Sequence, residues 1–171
     1  MAHISARARL ANLLGAFSVA AMDRQTDAAG GSRRVTDAAA LTTLRQRPHR
    51  ATASLARTLG RSHSATVRIV DRLATAGLVE RRADHDGRVQ ALTLTEAGVA
   101  TADRFAAERL NTLGELAGRL NEAEGTELAR LLEKILGAET RTQGEAHFDC
   151  RLCLYPLCAT AGCPIERSVS E

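Results

Sequence analysis

The chain has 171 residues, room for one domain and a small appendage, and is 44% hydrophobic but only 2% aromatic, with no Trp. Its core must be built from Leu, Val, Ile and Ala, which suits helices packed at short distance and points to a mainly α protein. Net charge is +3, so bulk charge does not mark a nucleic-acid binder, and no stretch reaches the roughly 20 apolar residues that span a bilayer.

Residues 5–30 read as one helix closed by Gly30-Gly31. Arg7 and Arg9 before Leu10–Ala21, with Ser18-Val19-Ala20, have the outline of a leader segment. Asn12, Gly15 and Ser18 interrupt that run, however, and Leu10, Leu13, Leu14, Phe17 and Ala21 fall on one face of an amphipathic helix. Thr36-Asp37 is expected to cap a second helix to about Arg47, with Leu41 and Leu44 inward and Pro48 ending it. Thr52 then caps a short third helix, Ala53–Thr58, which ends at Gly60. Ser62 caps a fourth through about Ala76, with Gly77 placed just beyond its end.

After Gly77 the period changes. Residues 78–82 and 88–94 look like two short strands, joined by an Asp-Gly hairpin turn within Ala83-Asp84-His85-Asp86-Gly87. Thr95-Glu96 opens a long helix to about Arg119, with Ala102, Ala106, Leu110, Leu113, Ala117 and Leu120 along one stripe. Asn121 with Glu124 resembles a capping box, and Leu128, Leu131, Leu132, Ile135 and Leu136 make a second apolar stripe. From about Thr140 the helical pattern fades into a cysteine-rich tail.

A short helix, a tight turn at Leu59-Gly60-Arg61, a longer helix and a hairpin make a winged helix-turn-helix at about residues 34–98. In such a unit the fourth helix presents its N-terminal residues to the major groove, and the hairpin reaches the adjacent minor groove of double-stranded DNA. Lys134 is the only lysine, so nearly all positive charge is arginine, whose planar fork grips phosphates or guanine edges. Ile69, Val70 and Leu73, with Ala65, form the core-facing side of the fourth helix. The candidate DNA contacts are Ser62, His63, Ser64, Ala65, Val67, Arg68 and Arg72 on that helix, with Arg82 and Arg88 on the hairpin. Ser64 and Arg68 lie four apart, on one side, and Arg68 is the choice for a bidentate guanine contact. Asp86 reads as a brace that orients Arg88, because a bare carboxylate facing phosphate would repel. The competing reading has Arg68 and Arg72 solvating the helix and pairing with Asp71 or Glu80.

These stretches resemble the MarR family of regulators. The likeness rests on Leu55-Ala56 through Leu59-Gly60 and on Ser64-Ala65-Thr66-Val67-Arg68-Ile69-Val70-Asp71-Arg72-Leu73. Gly77-Leu78-Val79-Glu80-Arg81, Asp84-His85-Asp86-Gly87-Arg88 and Leu92-Thr93-Leu94-Thr95-Glu96-Ala97-Gly98 follow in order. The resemblance implies a cytoplasmic homodimer joined by its first and last helices, with two winged lobes on a pseudo-palindromic operator. It implies a recognition helix at Ser62–Ala76, a wing arginine at Arg88 and, as in many such regulators, a small-molecule effector. The organisation expected is a dimerisation helix at 1–33, the DNA-binding domain at 34–98, dimerisation helices at 99–140 and a tail at 141–171. The apolar stripes support a dimer independently, since they exceed what one small lobe buries.

All four cysteines fall in the tail, as Cys150-x2-Cys153-x4-Cys158-x4-Cys163 followed by Pro164. In a cytosolic protein such clustering suggests a metal site more than disulfides. Four thiolates suit tetrahedral zinc, in the spacing of a zinc knuckle with Cys158 at the His position, and equally an iron–sulfur cluster. Metal-free thiol redox sensing is the alternative. The whole chain thus reads as a DNA-binding regulator, more often repressor than activator, tuned by metal, redox state or a small ligand. The rival is a metal- or thiol-responsive interaction module whose winged helix contacts protein. Asp84, His85 and Asp86 sit on a turn without an evident pocket, and no nucleotide loop or nucleophile–base pattern appears, so an enzyme is not expected.

Overall fold

The computed structural model describes residues 5–83, 90–154, 157 and 163–169. Among them the chain runs α1 (Ala6–Ala28), α2 (Ser32–Gln46), β1 (Arg50–Ala51), α3 (Thr52–Leu59) and α4 (His63–Thr75). It continues through β2 (Val79–Ala83), β3 (Gln90–Leu94), α5 (Glu96–Ala117), α6 (Glu122–Glu139), α7 (Gln143–Asp149) and α8 (Pro164–Ser168).

Local chemistry sets most of these boundaries. Gly60 (φ +60°) and Gly77 (φ +70°) take the left-handed conformation that closes α3 and α4. At α4 the Gly77 and Leu78 amides donate back to Ala74 and Leu73, both at 2.9 Å. The Gly60 and Arg61 amides close α3 in the same way, onto Arg57 and Ala56. Thr95 caps α5 by accepting from the Gly98 amide at 3.0 Å, while its hydroxyl donates to the Gly77 carbonyl at 2.6 Å. One threonine thereby ties the end of the α4 turn to the start of α5. Asn121 and Glu124 form a reciprocal capping box on α6.

Several elements differ from the sequence expectation; α3 begins at Thr52 itself, with Ala51 at its N-cap and no side-chain cap, and the tail holds the short helix α8. The second helix begins at Ser32 instead of Thr36, because Gly31 (φ +112°) turns the chain out of α1 and its carbonyl accepts from Arg34 and Val35. Burial of the continuous run Ala38–Leu44 rewards the early start. The sheet has a third, two-residue strand, β1, paired antiparallel to β3 (Arg50 opposite Leu92), in the order β1-β3-β2. The tail carries helix α7, opened by a capping box of Thr142 and Glu145.

The core lies where α2, α3, α4 and the sheet meet. Leu41, Leu55, Val70 and Leu92 are completely buried there, with Leu44, Leu59, Ile69, Leu73 and Val79 around them. Elsewhere apolar residues stay in the open. Leu10, Leu13 and Phe17 on α1 are 56%, 52% and 52% exposed, and α6 buries no residue at all, leaving Leu131 and Ile135 at 40% and 45%. Among the described residues no helix is long and apolar enough to cross a membrane.

The tail does not stand apart from the winged helix. Helix α7 packs on α3, and α8 lies along α6. Leu152 packs against the main core, and the Gln46 side-chain amide donates to the Cys153 carbonyl. Buried Thr140 secures the departure from α6, donating to the Leu136 carbonyl at 3.1 Å and to Asp149 at 3.3 Å.

Candidate nucleic-acid interface

Helix α4 has two chemically distinct sides. Thr66, Ile69, Val70 and Leu73 are buried, whereas Ser62, His63, Ser64 and Arg68 are exposed and Ala65 and Val67 are half-buried. Ser62 is the N-cap: its hydroxyl oxygen accepts from the Ala65 amide at 3.2 Å and lies 3.2 Å from the Ser64 hydroxyl. The helix therefore offers a polar, hydroxyl-lined N-terminus at its partially positive end. Arg68 lies one turn beyond Ser64 and has no hydrogen-bond or ion-pair partner among the described residues.

The other arginines are placed differently. Arg72, expected among the DNA contacts, turns instead to α2, where its guanidinium holds both carboxylate oxygens of Asp37 in a half-buried pair. The acidic groups named as its alternative partners are taken by the wing. Asp71 pairs with Arg81, and Glu80 accepts from Arg82 at 3.0 Å. Arg82 nonetheless remains well exposed on β2. Asp86 and Arg88, with Asp84 and His85, lie outside the described residues.

The wing is held at a fixed angle by a close backbone approach. A Cβ on Gly98 would come within 2.0 Å of the Leu78 carbonyl oxygen, so only glycine lets α5 start this near β2. The Leu78 carbonyl in turn accepts from the Thr95 amide at 3.1 Å.

The tail gathers three of its four cysteines. Cys150 hydrogen-bonds to Cys153 and also meets Cys163, which is buried with Ala146 and Ile165. All three are free thiols, and Cys158 lies outside the described residues. The Cys153 bond, burial and the neighbouring sulfurs push the Cys150 thiol well up. Cys153 is brought down to about 6 by that same bond, aided by the positive charges of Arg109 and Arg151 and opposed by burial and Asp149. Among the described residues no set of three His, Cys, Asp or Glu side chains is spaced to hold a metal. The three thiols supply soft ligands of the right kind, yet a tetrahedral thiolate site needs a fourth.

Several residues of these sites carry no mark in the sequence. Phe148 lies against Gly60 in the turn before α4, and the Arg151 guanidinium stacks over the Phe148 ring at 4.0 Å from its centroid. Leu152 closes one end of a cleft between α1, α2 and α5, lined also by Val35, Thr42, Phe105 and Arg109. Arg109 is fixed there by its 3.0 Å bond to Gln25. Apart from the Arg151–Phe148 stack, each contact joins segments far apart in the chain, so no local spacing announces it.

A helix-turn-helix with an exposed polar face on its second helix, flanked by an arginine-bearing hairpin, has the form of a winged helix-turn-helix. Residues 35–89 match the model of the MarR family. A Mycobacterium tuberculosis MarR family protein is 25% identical with a TM-score of 0.61, over 77% of this chain and 96% of that one. The structure of that protein in complex with DNA gives 26% identity and a TM-score of 0.61, over 74% and 96%. Its complex with salicylic acid gives 27% and 0.59, over 74% and 95%. Wild-type MarR from E. coli shares the fold, with a TM-score of 0.62 at 22% identity over 74% of this chain and 96% of its own. No curated protein sequence matches the chain significantly.

Proposed function

We propose that this chain is a sequence-specific, DNA-binding transcription regulator, a cytoplasmic homodimer that represses genes by occupying a pseudo-palindromic operator. The observation that carries the reading is the start of α4, where Ser62, His63, Ser64 and Arg68, which has no partner among the described residues, project from a MarR-type winged helix. Ser62 and Ser64 would position the helix on phosphates, and Arg68 would read guanine O6 and N7. Arg82, and Arg88 oriented by Asp86, would enter the minor groove from the wing. Arg72 is assigned to holding α4 on α2 through Asp37, leaving Arg68 as the base reader.

The exposed apolar faces of α1 and α6 support the homodimer, since apolar area of that extent favours burial against a second copy. The cleft with Phe105 and Arg109 supports a small-molecule effector, with the salicylic acid complex of the M. tuberculosis protein as precedent. Cys150, Cys153, Cys158 and Cys163 are proposed as ligands of zinc or an iron–sulfur cluster, supported by their close spacing in the sequence. A bound metal there would fix the fold of the tail and make it answer to metal or oxidant supply.

The test is selection of bound duplexes from a random-sequence DNA pool by the full-length protein. Enrichment of a two-fold symmetric motif bound by two chains is expected. Recovery of unenriched sequences, with no salt-dependent shift of any duplex, would favour a winged helix that docks on protein.

A further inference from the structure

The tail brings a cation to the edge of the proposed DNA-reading face. Helix α7 sits on α3, and the Phe148 ring lies so close to Gly60 that a Cβ there would approach it to 2.5 Å. Arg151 is stacked on the outer side of this arrangement, its guanidinium over the ring and donating to the Phe148 carbonyl. Gly60 is followed by exposed Arg61 and then by Ser62, the N-cap of α4. Stacking on a ring seated against the turn thus holds one arginine near another at the mouth of the recognition helix. Guanidinium groups beside a helix N-terminus attract anions, and a helix N-terminus facing a duplex has phosphates as its neighbours.

We propose that the cysteine-bearing tail is an arm of the DNA-reading head, in which Arg151 joins Arg61 to grip a backbone phosphate beside the N-terminus of α4. The inference rests on the DNA-binding reading above and extends it to a segment outside the winged helix. Arg151 would add affinity without base preference, because a phosphate contact positions the protein and carries no sequence information. It also gives the cysteine cluster a route to DNA affinity. Arg151 lies between Cys150 and Cys153, and the Cys153 carbonyl is anchored by Gln46.

The test measures the salt dependence of binding of the full-length protein to the duplex enriched in the selection and to a random duplex of equal length. Each lost phosphate contact lowers the log–log salt slope by about 0.9, so Arg151→Gln should lower it by about 1.8 for two chains on one duplex. Across 50 to 200 mM salt the affinity ratio of wild type to variant should then change about twelvefold, equally on both duplexes. Arg61→Gln should give a similar drop, and Arg151→Lys, which keeps the charge but not the planar stack, should retain the wild-type slope. An unchanged slope in Arg151→Gln, or an equal loss in Arg151→Lys, would overturn the proposal while wild type still binds with sequence preference. If wild type itself binds neither duplex, the DNA-binding reading fails and this inference with it.

Discussion

Replacing Gly60 by alanine separates two costs that the fold combines at one position. At φ +60° a Cβ is strained against its own backbone, which costs roughly 1–2 kcal/mol, offset by about 0.4–1 kcal/mol from a stiffer unfolded chain. The second cost is steric. The new Cβ would lie 2.5 Å from Cε2 of Phe148, so the ring must leave its seat. Phe148 is 38% exposed, so displacing it forfeits more than half of a full aromatic burial, on the order of 1–2 kcal/mol. Gly77 provides the control, with φ +70° and nothing within 4 Å of a built Cβ. Urea unfolding should show Gly77→Ala costing about 1 kcal/mol and Gly60→Ala about 2–3 kcal/mol. In a Phe148→Ala background the cost of Gly60→Ala should fall to that of Gly77→Ala. Equal costs for the two glycines in the wild-type background would refute the seating of the tail on the α3–α4 turn.

Gly98→Ala should lower stability by about 2–3 kcal/mol, since the obstructing atom is the Leu78 backbone carbonyl; a thermal melt unchanged from wild type would contradict that close approach. Arg72→Met should cost about 1–2 kcal/mol through loss of the half-buried Asp37 pair while leaving base preference as in wild type, measured by urea unfolding and duplex selection. Sedimentation should show a dimer that Leu131→Asp with Ile135→Asp converts to monomer; a wild-type monomer would remove the role given to these exposed faces. Metal analysis of anaerobically purified protein should find zinc or iron that Cys153→Ser diminishes, iron being accompanied by visible absorption; metal-free, colourless protein would leave thiol chemistry alone.

The winged helix was legible because its determinants are local. Ser62, Gly77, Thr95 and the Asn121–Glu124 pair act within a few residues of themselves, and α4 shows its buried and exposed sides through spacing alone. The tail was legible only as a list of sulfur atoms. Its seat depends on Phe148 meeting Gly60, Leu152 reaching the core and Gln46 binding the Cys153 carbonyl, pairings that distant segments make only after folding. The partner of Arg72 was hidden for the same reason: Asp37 sits on α2, whereas the acids nearest in sequence serve Arg81 and Arg82. Strand β1 is two residues long, too short to show a period.

The central claim is that the exposed start of α4 reads DNA through Arg68. Its most direct measurement is the base preference of wild type and Arg68→Ala, determined by parallel selection from the same random duplex pool. The account predicts a symmetric motif for wild type and, for the variant, loss of a guanine preference at one position per half-site, a discrimination of about 1–3 kcal/mol. Identical motifs from the two proteins would contradict it.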